Sequence, residues 1–279
     1  MSHSAQFAAA NCRFAKRARV CLVAGTVGSK STEAMSKRRR ALFLRWIALW
    51  PLTLGLMLYP VSNGILRAAT VVAITILWLG AIWLFRRLKS LCMVLIGLLA
   101  LTVVFVLLPD QKVSPASLGR EYVNSLRSYE NTRYVWGGEN RLGIDCSGLV
   151  RAALVNAARK ESVQTLNPSL IRFAADLWWH DCSARALGGE HRQQTIRLFE
   201  TPGINGIELG KLQPGDLAVT DDGVHVLAFL GGNEWIEADP DVKRVLIVTV
   251  PSTNAWFDTP VKVMRWRMLE ESRPAARTE

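Results

Sequence analysis

The pattern of apolar and polar positions divides the chain near residue 108. Before that point three apolar runs, 41–59, 68–85 and 91–108, follow one another with short breaks. The second and third contain no charge over 18 residues each, close to the ~20 needed to cross a hydrocarbon layer ~30 Å thick. The first contains Arg45 and Pro51, with Trp46 and Trp50 beside them. Basic and aromatic residues suit a membrane interface, and proline is tolerated in a spanning helix. The pattern predicts two to three transmembrane helices over 41–108. A buried hairpin in a water-soluble protein would not place charge-free runs nearly back to back, and a lone cleavable signal would not be followed by two more runs. Residues 1–40 read as a basic tail. Within it, 1–34 show no periodicity and are expected to be disordered or absent from the translated protein, because Met35-Ser36-Lys37-Arg38 resembles a natural start. A short arm binding anionic lipid is the functional alternative.

After residue 108 the periods shorten. A linker at 109–116 leads into a soluble domain at 117–270, with a tail at 271–279. Ser117 is expected as an N-cap, followed by Leu118, Tyr122, Leu126 and Tyr129 at helical spacing. Tyr134-Val135-Trp136 reads as a strand-like triplet broken by Gly137-Gly138. Asp145 is placed to cap a helix from Cys146 to about Lys160, with Leu149, Ala153, Leu154 and Ala157 on one face. Leu212-Gln213-Pro214-Gly215-Asp216 predicts a turn into a strand. Short strands are expected at 224–230, 234–238, 245–250 and 261–267. Helices first and an antiparallel sheet afterwards is an α+β order.

Charge changes the picture only when it is divided along the chain. Of the net +11, residues 1–108 carry 14 Lys+Arg against one acid, whereas 109–279 carry 20 against 22. The basicity flanks the apolar runs, where it sets orientation, and the soluble domain has no basic excess with which to bind nucleic acid. The clusters Lys37–Arg40 and Arg86–Lys89 should both remain cytoplasmic. Three spans satisfy both conditions and place everything after residue 108 outside the cytoplasm.

The chemistry concentrates at Asp145-Cys146-Ser147-Gly148. A cysteine at the first turn of a helix faces unpaired backbone N–H groups and the positive end of the helix dipole, which both favour a thiolate. Glycines at 137, 138, 143 and 148 allow backbone or substrate close to the sulfur. A base is supplied by His225, polar on an otherwise apolar strand, where burial without a partner would be costly. Glu237 follows twelve residues later, beyond the Gly231-Gly232-Asn233 turn, and a hairpin brings it near His225. A lone cysteine or histidine would more simply be a core residue. The combination points to Cys146 as nucleophile, His225 as base and Glu237 as the group that orients it.

These motifs, in this order, resemble the NlpC-type cysteine peptidase family over roughly 120–250: Tyr134-Val-Trp-Gly-Gly, Asp145-Cys-Ser-Gly-Leu-Val150, Leu212-Gln-Pro-Gly-Asp216 and Val224-His225-Val226. The resemblance implies a papain-like α+β fold in which a nucleophile helix packs on an antiparallel sheet. It implies cleavage of amide bonds in peptidoglycan stem peptides, often between D-γ-glutamyl and meso-diaminopimelate, through an acyl-enzyme and without metal or organic cofactor. It further implies that Tyr134 and the Cys146 N–H bind the oxyanion, and that Asp145 and Ser147 contact the amine end of the substrate peptide. The location implied is a bacterial cytoplasmic membrane, with the catalytic domain outside and membrane lipid and wall peptides as partners.

Two departures stand out. The third catalytic position is more usually His, Asn or Gln, whereas here it is Glu237, with Asp239 a rival on the same strand face. The 79 positions between Cys146 and His225 also exceed the family's usual gap. The extra residues, about 160–208, contain His180-Asp181-Cys182, which lacks a second ligand pair at zinc-site spacing. A cap packed over the cleft is the expected role of this insertion. Cys12 and Cys21 fall in the tail and Cys92 in a span, so Cys182 is the only candidate to pair with Cys146. Both are expected to be free thiols. Two other functions fit the residues: an amidase or acyltransferase acting on another amide or ester, and a catalytically retired wall-peptide-binding module.

Overall fold

The computed structural model describes residues 37–270; the expectations for 1–34 and for the tail at 271–279 lie outside them. Three helices open the chain: α1 (Lys37–Leu58), α2 (Gly64–Leu84) and α3 (Lys89–Leu107), each long and apolar enough to cross a membrane. Their ends differ from the apolar runs by a few residues. Asn63 caps α2, its Oδ1 accepting from Leu66 N at 3.0 Å, so α2 takes Arg67 into its first turn. Most of the large apolar side chains of α1–α3 are exposed. That is the expected surface of a helix solvated by lipid.

Helix α4 (Pro115–Arg127) starts earlier than expected. Ser114 is its cap and Pro115 occupies its first turn, where the missing N–H is no loss. Ser117, expected as the cap, instead donates its backbone N–H to Ser114 Oγ at 3.3 Å. The strand-like reading of 134–136 reduces to isolated bridges at Arg133 and Tyr134. A two-stranded ribbon, β1 (Glu139–Asn140) with β2 (Gly143–Ile144), then leads into α5 (Cys146–Thr165).

The insertion is built into the frame rather than forming a cap over the cleft. Helix α6 (Pro168–Trp179) packs along α5 and reaches α3, and the short α7 (Ala184–Gly188) packs on the sheet. Strand β3 (Thr195–Thr201) becomes an edge of that sheet. Irregular spacing across 160–208 hid these elements: α6 follows a left-handed Leu166 and an Asn167–Pro168 start only three residues after α5 ends.

The sheet is completed by β4 (Leu217–Thr220), β5 (Val226–Gly231), β6 (Glu234–Asp239), β7 (Arg244–Thr249) and β8 (Val261–Trp266), in the order β3-β8-β4-β5-β6-β7, every pair antiparallel. Strand alternation produces two cores. Leu217, Val219, Val226, Ala228, Ile236 and Met264 face α4 and α5, while Ala218, Leu227, Phe229, Trp235 and Val263 face Ile204 and Phe257 on the other side. The 212–216 turn owes its sequence to structure. Gly215 adopts φ +100° and Asp216, almost fully buried, takes a bidentate pair from Arg265 at 2.6 and 2.7 Å.

Candidate active site

Asp145 sets the start of α5, the helix that Cys146 opens. Its backbone is extended, and Oδ1 accepts from Gly148 N at 2.6 Å and Ser147 Oγ at 3.0 Å, while Oδ2 accepts from Gly137 N at 2.7 Å. One carboxylate therefore caps α5 and clamps the preceding glycine turn onto it. Gly148 has a steric reason to be glycine: an added Cβ would lie 2.1 Å from Gly138 O. The close approach around the sulfur is backbone against backbone. Cys146 stands at the first position of α5, buried except for a few per cent of its surface. There the helix's unpaired N–H groups and dipole favour negative charge.

His225 enters from the loop before β5. Its backbone is fixed by Thr220, whose Oγ1 accepts from His225 N at 2.9 Å and whose N–H donates to His225 O at 3.1 Å. The ring holds Glu237 Oε2 at 2.7 Å through Nε2, which leaves Nδ1 for a second partner. Cys146 is near enough to act on the imidazole, while its thiol lies 3.9 Å from the carbonyl oxygen of Val224, the residue before His225. Trp256 stacks on the imidazole, centroids 4.3 Å apart and planes 24° from parallel. Burial of the ring acts to lower its pKa. The hydrogen bonds and charges of Cys146 and Glu237 act more strongly together in the other direction and raise it to about 9. Glu237 is wholly buried, and burial pushes its carboxyl up against the opposing effect of the His225 bond. Its other oxygen accepts from Asn254 Nδ2 at 2.7 Å.

Asp239 lies on the same face and its Oδ2 reaches Asn254 Nδ2 at 3.5 Å, but its other oxygen closes a turn rather than meeting the imidazole. Its Oδ1 accepts from the N–H groups of Asp241 and Val242 at 2.7 and 2.9 Å, closing the β6–β7 turn. The hairpin brings Glu237, not Asp239, to the imidazole. Tyr134 lies close enough to Cys146, Asp145 and Asp239 for their charges to act on it. Burial first, and those charges second, push its phenol up to about 12, so it remains a hydrogen-bond donor.

Asn254, Trp256 and Thr220 were not among the residues singled out from the sequence. Asn254 and Trp256 come from a loop beyond β7, and no periodicity connects them to residue 237. Cys182 is free and buried, as is Cys146. Burial raises the Cys182 thiol, with Arg151 opposing.

Arg151, from the second turn of α5, anchors a second polar cluster. It pairs with Glu139 and Asp181 and donates to Cys182 O at 3.2 Å. Glu139 is shared with Arg67 of α2, whose Nη2 lies 2.6 Å from Glu139 Oε1.

The NlpC/P60 family model matches residues 131–265. No curated protein matches the chain. Among solved structures, NlpC2 from Trichomonas vaginalis is 18% identical, with a TM-score of 0.35 over 56% of this chain and 49% of that one. The P60 domain of an antigen from M. avium subspecies paratuberculosis is 17% identical, with a TM-score of 0.34 over 57% of this chain and 100% of that domain. The peptidoglycan hydrolase RipB from Mycobacterium tuberculosis is 19% identical, with a TM-score of 0.34 over 56% of this chain and 67% of that one. The chain thus spans about half the length of the Trichomonas protein and all of the isolated P60 domain. With the family model running from just before Tyr134 to the end of β8, residues 131–265 form a domain of the NlpC/P60 family.

Proposed function

We propose that this chain is a membrane-anchored cysteine peptidase that cleaves amide bonds in peptidoglycan stem peptides, with Cys146 as nucleophile, His225 as base and Glu237 as orienting residue. The observation that carries the reading is the buried His225–Glu237–Asn254 chain of hydrogen bonds beside Cys146, which opens α5 and whose thiol reaches the carbonyl of Val224, next to His225. The thiol proton passes to His225 Nδ1, and the resulting imidazolium is held by the carboxylate on Nε2. Sulfur then attacks the scissile carbonyl. The developing oxyanion is met by first-turn N–H groups, held in place by the helix before the reaction begins, and by the Tyr134 hydroxyl. Imidazolium returns its proton to the leaving amine, and water, deprotonated by His225, releases the acyl group from sulfur. Asp145 and Ser147 line the start of α5. Because the Asp145 oxygens already hold the helix cap, their part in binding the substrate amine is carried by whatever lone pairs that cap leaves.

The finer reading is an endopeptidase acting between D-γ-glutamyl and diaminopimelate, with the domain outside the cytoplasmic membrane. It is tested by digesting purified sacculi with the full chain in detergent and weighing the fragments released. Fragments ending at D-γ-glutamate, absent with Cys146→Ala, are the expected result. Cleavage at a sugar-proximal amide would make the protein an amidase, and no cysteine-dependent release would leave the retired binding module.

A further inference from the structure

A cavity of about 620 Å³ lies where the helical hairpin meets the catalytic domain, away from Cys146. Its two walls differ in kind. One is apolar and comes from the facing ends of α1 and α2: Leu56 and Met57, then Leu66, Val71 and Ile74. From residue 66 to 74 this wall runs about 12 Å along α2 at ~1.5 Å per residue. The other wall comes from α5, α6 and the β1–β2 turn, joined at the floor by Arg67 from the first turn of α2, and it is cationic. Arg67 and Arg151 lie at its floor, buried and paired with Glu139, while Arg141 and Arg159 are exposed at its rim. Four arginines against one carboxylate line the space, and the floor pair already neutralises that carboxylate. Arg141 is held in place by stacking over the Tyr129 ring at 5.6 Å. The volume falls within the range of pockets that bury small ligands, ~300–1,000 Å³.

We propose that this cavity is a binding site for a membrane lipid with an anionic phosphate headgroup. An acyl chain lies along the α1–α2 wall and the phosphate sits between Arg141 and Arg159. The inference rests on α1–α3 spanning a bilayer, and it is independent of the chemistry at Cys146. A soluble anion would gain nothing from the apolar wall, and a neutral lipid would leave the two rim guanidiniums without a counter-charge. Guanidinium is the side chain best matched to phosphate oxygens. A lipid held here would bear at once on the hairpin and on the back of α5.

The test uses the full chain in nanodiscs of phosphatidylcholine, with and without phosphatidylglycerol of the same chains, read by thermal unfolding. A third arm keeps pure phosphatidylcholine and adds free glycerol phosphate. Phosphatidylglycerol at tenfold excess over Kd should raise Tm by about 3–6 °C, and free glycerol phosphate should not. The basic clusters at 37–40 and 86–89 also respond to surface charge, so Arg141→Gln/Arg159→Gln, which leaves both clusters intact, is the deciding variant. It should retain the phosphatidylcholine Tm and lose the phosphatidylglycerol increment. Equal Tm in both lipids, an undiminished increment in the double variant, or an equal increment from glycerol phosphate would each overturn the lipid site. Should the chain prove extractable from membranes without detergent, the spanning helices fail first, a result distinguishable by fractionation alone.

Discussion

At the scale of single residues, the Glu237–His225 pair makes the sharpest claims. Both groups are buried, so a carboxylate that cannot charge would leave the imidazolium without support where desolvation costs most. Glu237→Gln should lower kcat by about 10²-fold while the circular dichroism of the domain stays unchanged. Asp239→Asn keeps an acceptor for the two turn amides and should do far less. A larger loss from Asp239→Asn would show that the carboxylate contacting the imidazole is not the one that matters in turnover. The same pair fixes a pH dependence. The folded His225 pKa, about 9, lies above the ordinary value of 6.5. Its ionic contribution to stability is therefore complete below pH ~6.5 and lost as pH rises through about 9. Activity should fall over that upper limb as the imidazolium disappears, and Glu237→Gln should move the limb to lower pH in a kcat profile. Thiol reactivity offers a check that needs no substrate. Cys146, beside His225 at a helix start, should be alkylated by dilute iodoacetamide well before Cys182, whose thiol is buried and pushed up. Mass mapping of the labelled chain decides it.

At the scale of elements, what is legible in the sequence is what has a short period. Strands β5, β6, β7 and β8 are visible because each is a short run rich in apolar and β-branched residues bounded by turn or loop residues such as Gly231-Gly232-Asn233, and α5 because Asp145, Cys146 and its apolar face share one run. The Cys146–His225–Glu237 cluster follows from those elements plus one hairpin. The insertion does not, because α6 and β3 find their partners, α5 and β8, only in three dimensions. Nor does the joint between the hairpin and the domain. The α1–α2 connection runs beside the glycine turn: Ser62 N donates to Gly137 O at 3.2 Å, Glu139 N to Pro60 O at 2.9 Å, and Val61 bridges Gly138. Gly137 and Gly138 join this connection to Asp145: Gly137 N donates to Asp145 Oδ2 at 2.7 Å, and Asp145 N donates to Gly138 O at 3.1 Å. Arg67, 2% exposed, locks the joint through Glu139, Ser62 Oγ and Trp179 O. Arg67 stands in the first turn of a spanning helix, yet its partners Glu139 and Trp179 belong to the domain. Arg67→Met should therefore cost ~3 kcal/mol or more, since it unpairs part of a buried ionic cluster. Its signature is local: faster hydrogen exchange at the Ser62 and Glu139 amides in the full chain. Unchanged exchange there would mean that the backbone pairing holds without the arginine.

At the scale of the whole molecule, the two ends of the helical hairpin are chemically opposite, and the structure keeps them apart. Arg39 donates to Leu84 O at 2.9 Å, which sets the 37–40 cluster beside the end of α2 and hence beside the basic 86–89 link. The NlpC/P60 domain attaches at the other end, through the 58–62 connection, Arg67, and Arg172, which donates to Val106 O and to Leu108 O. Three helices running up, down and up thus carry both basic clusters on one side and residues 109–270 on the other. Basic segments stay on the cytoplasmic side because short loops rich in Lys and Arg resist translocation. A reporter active only outside the cytoplasm, fused after Leu108, should work, and one fused within 86–89 should not. Replacing Arg86, Arg87 and Lys89 with Gln weakens the determinant at the link, yet the 37–40 cluster still favours the same orientation, so the fusion after Leu108 should keep most of its signal. Neutralising both clusters should reduce that signal several-fold. A fusion after Leu108 that works only in the cytoplasm would put the domain on the side where there is no wall to cleave, and the peptidoglycan reading would fall with it.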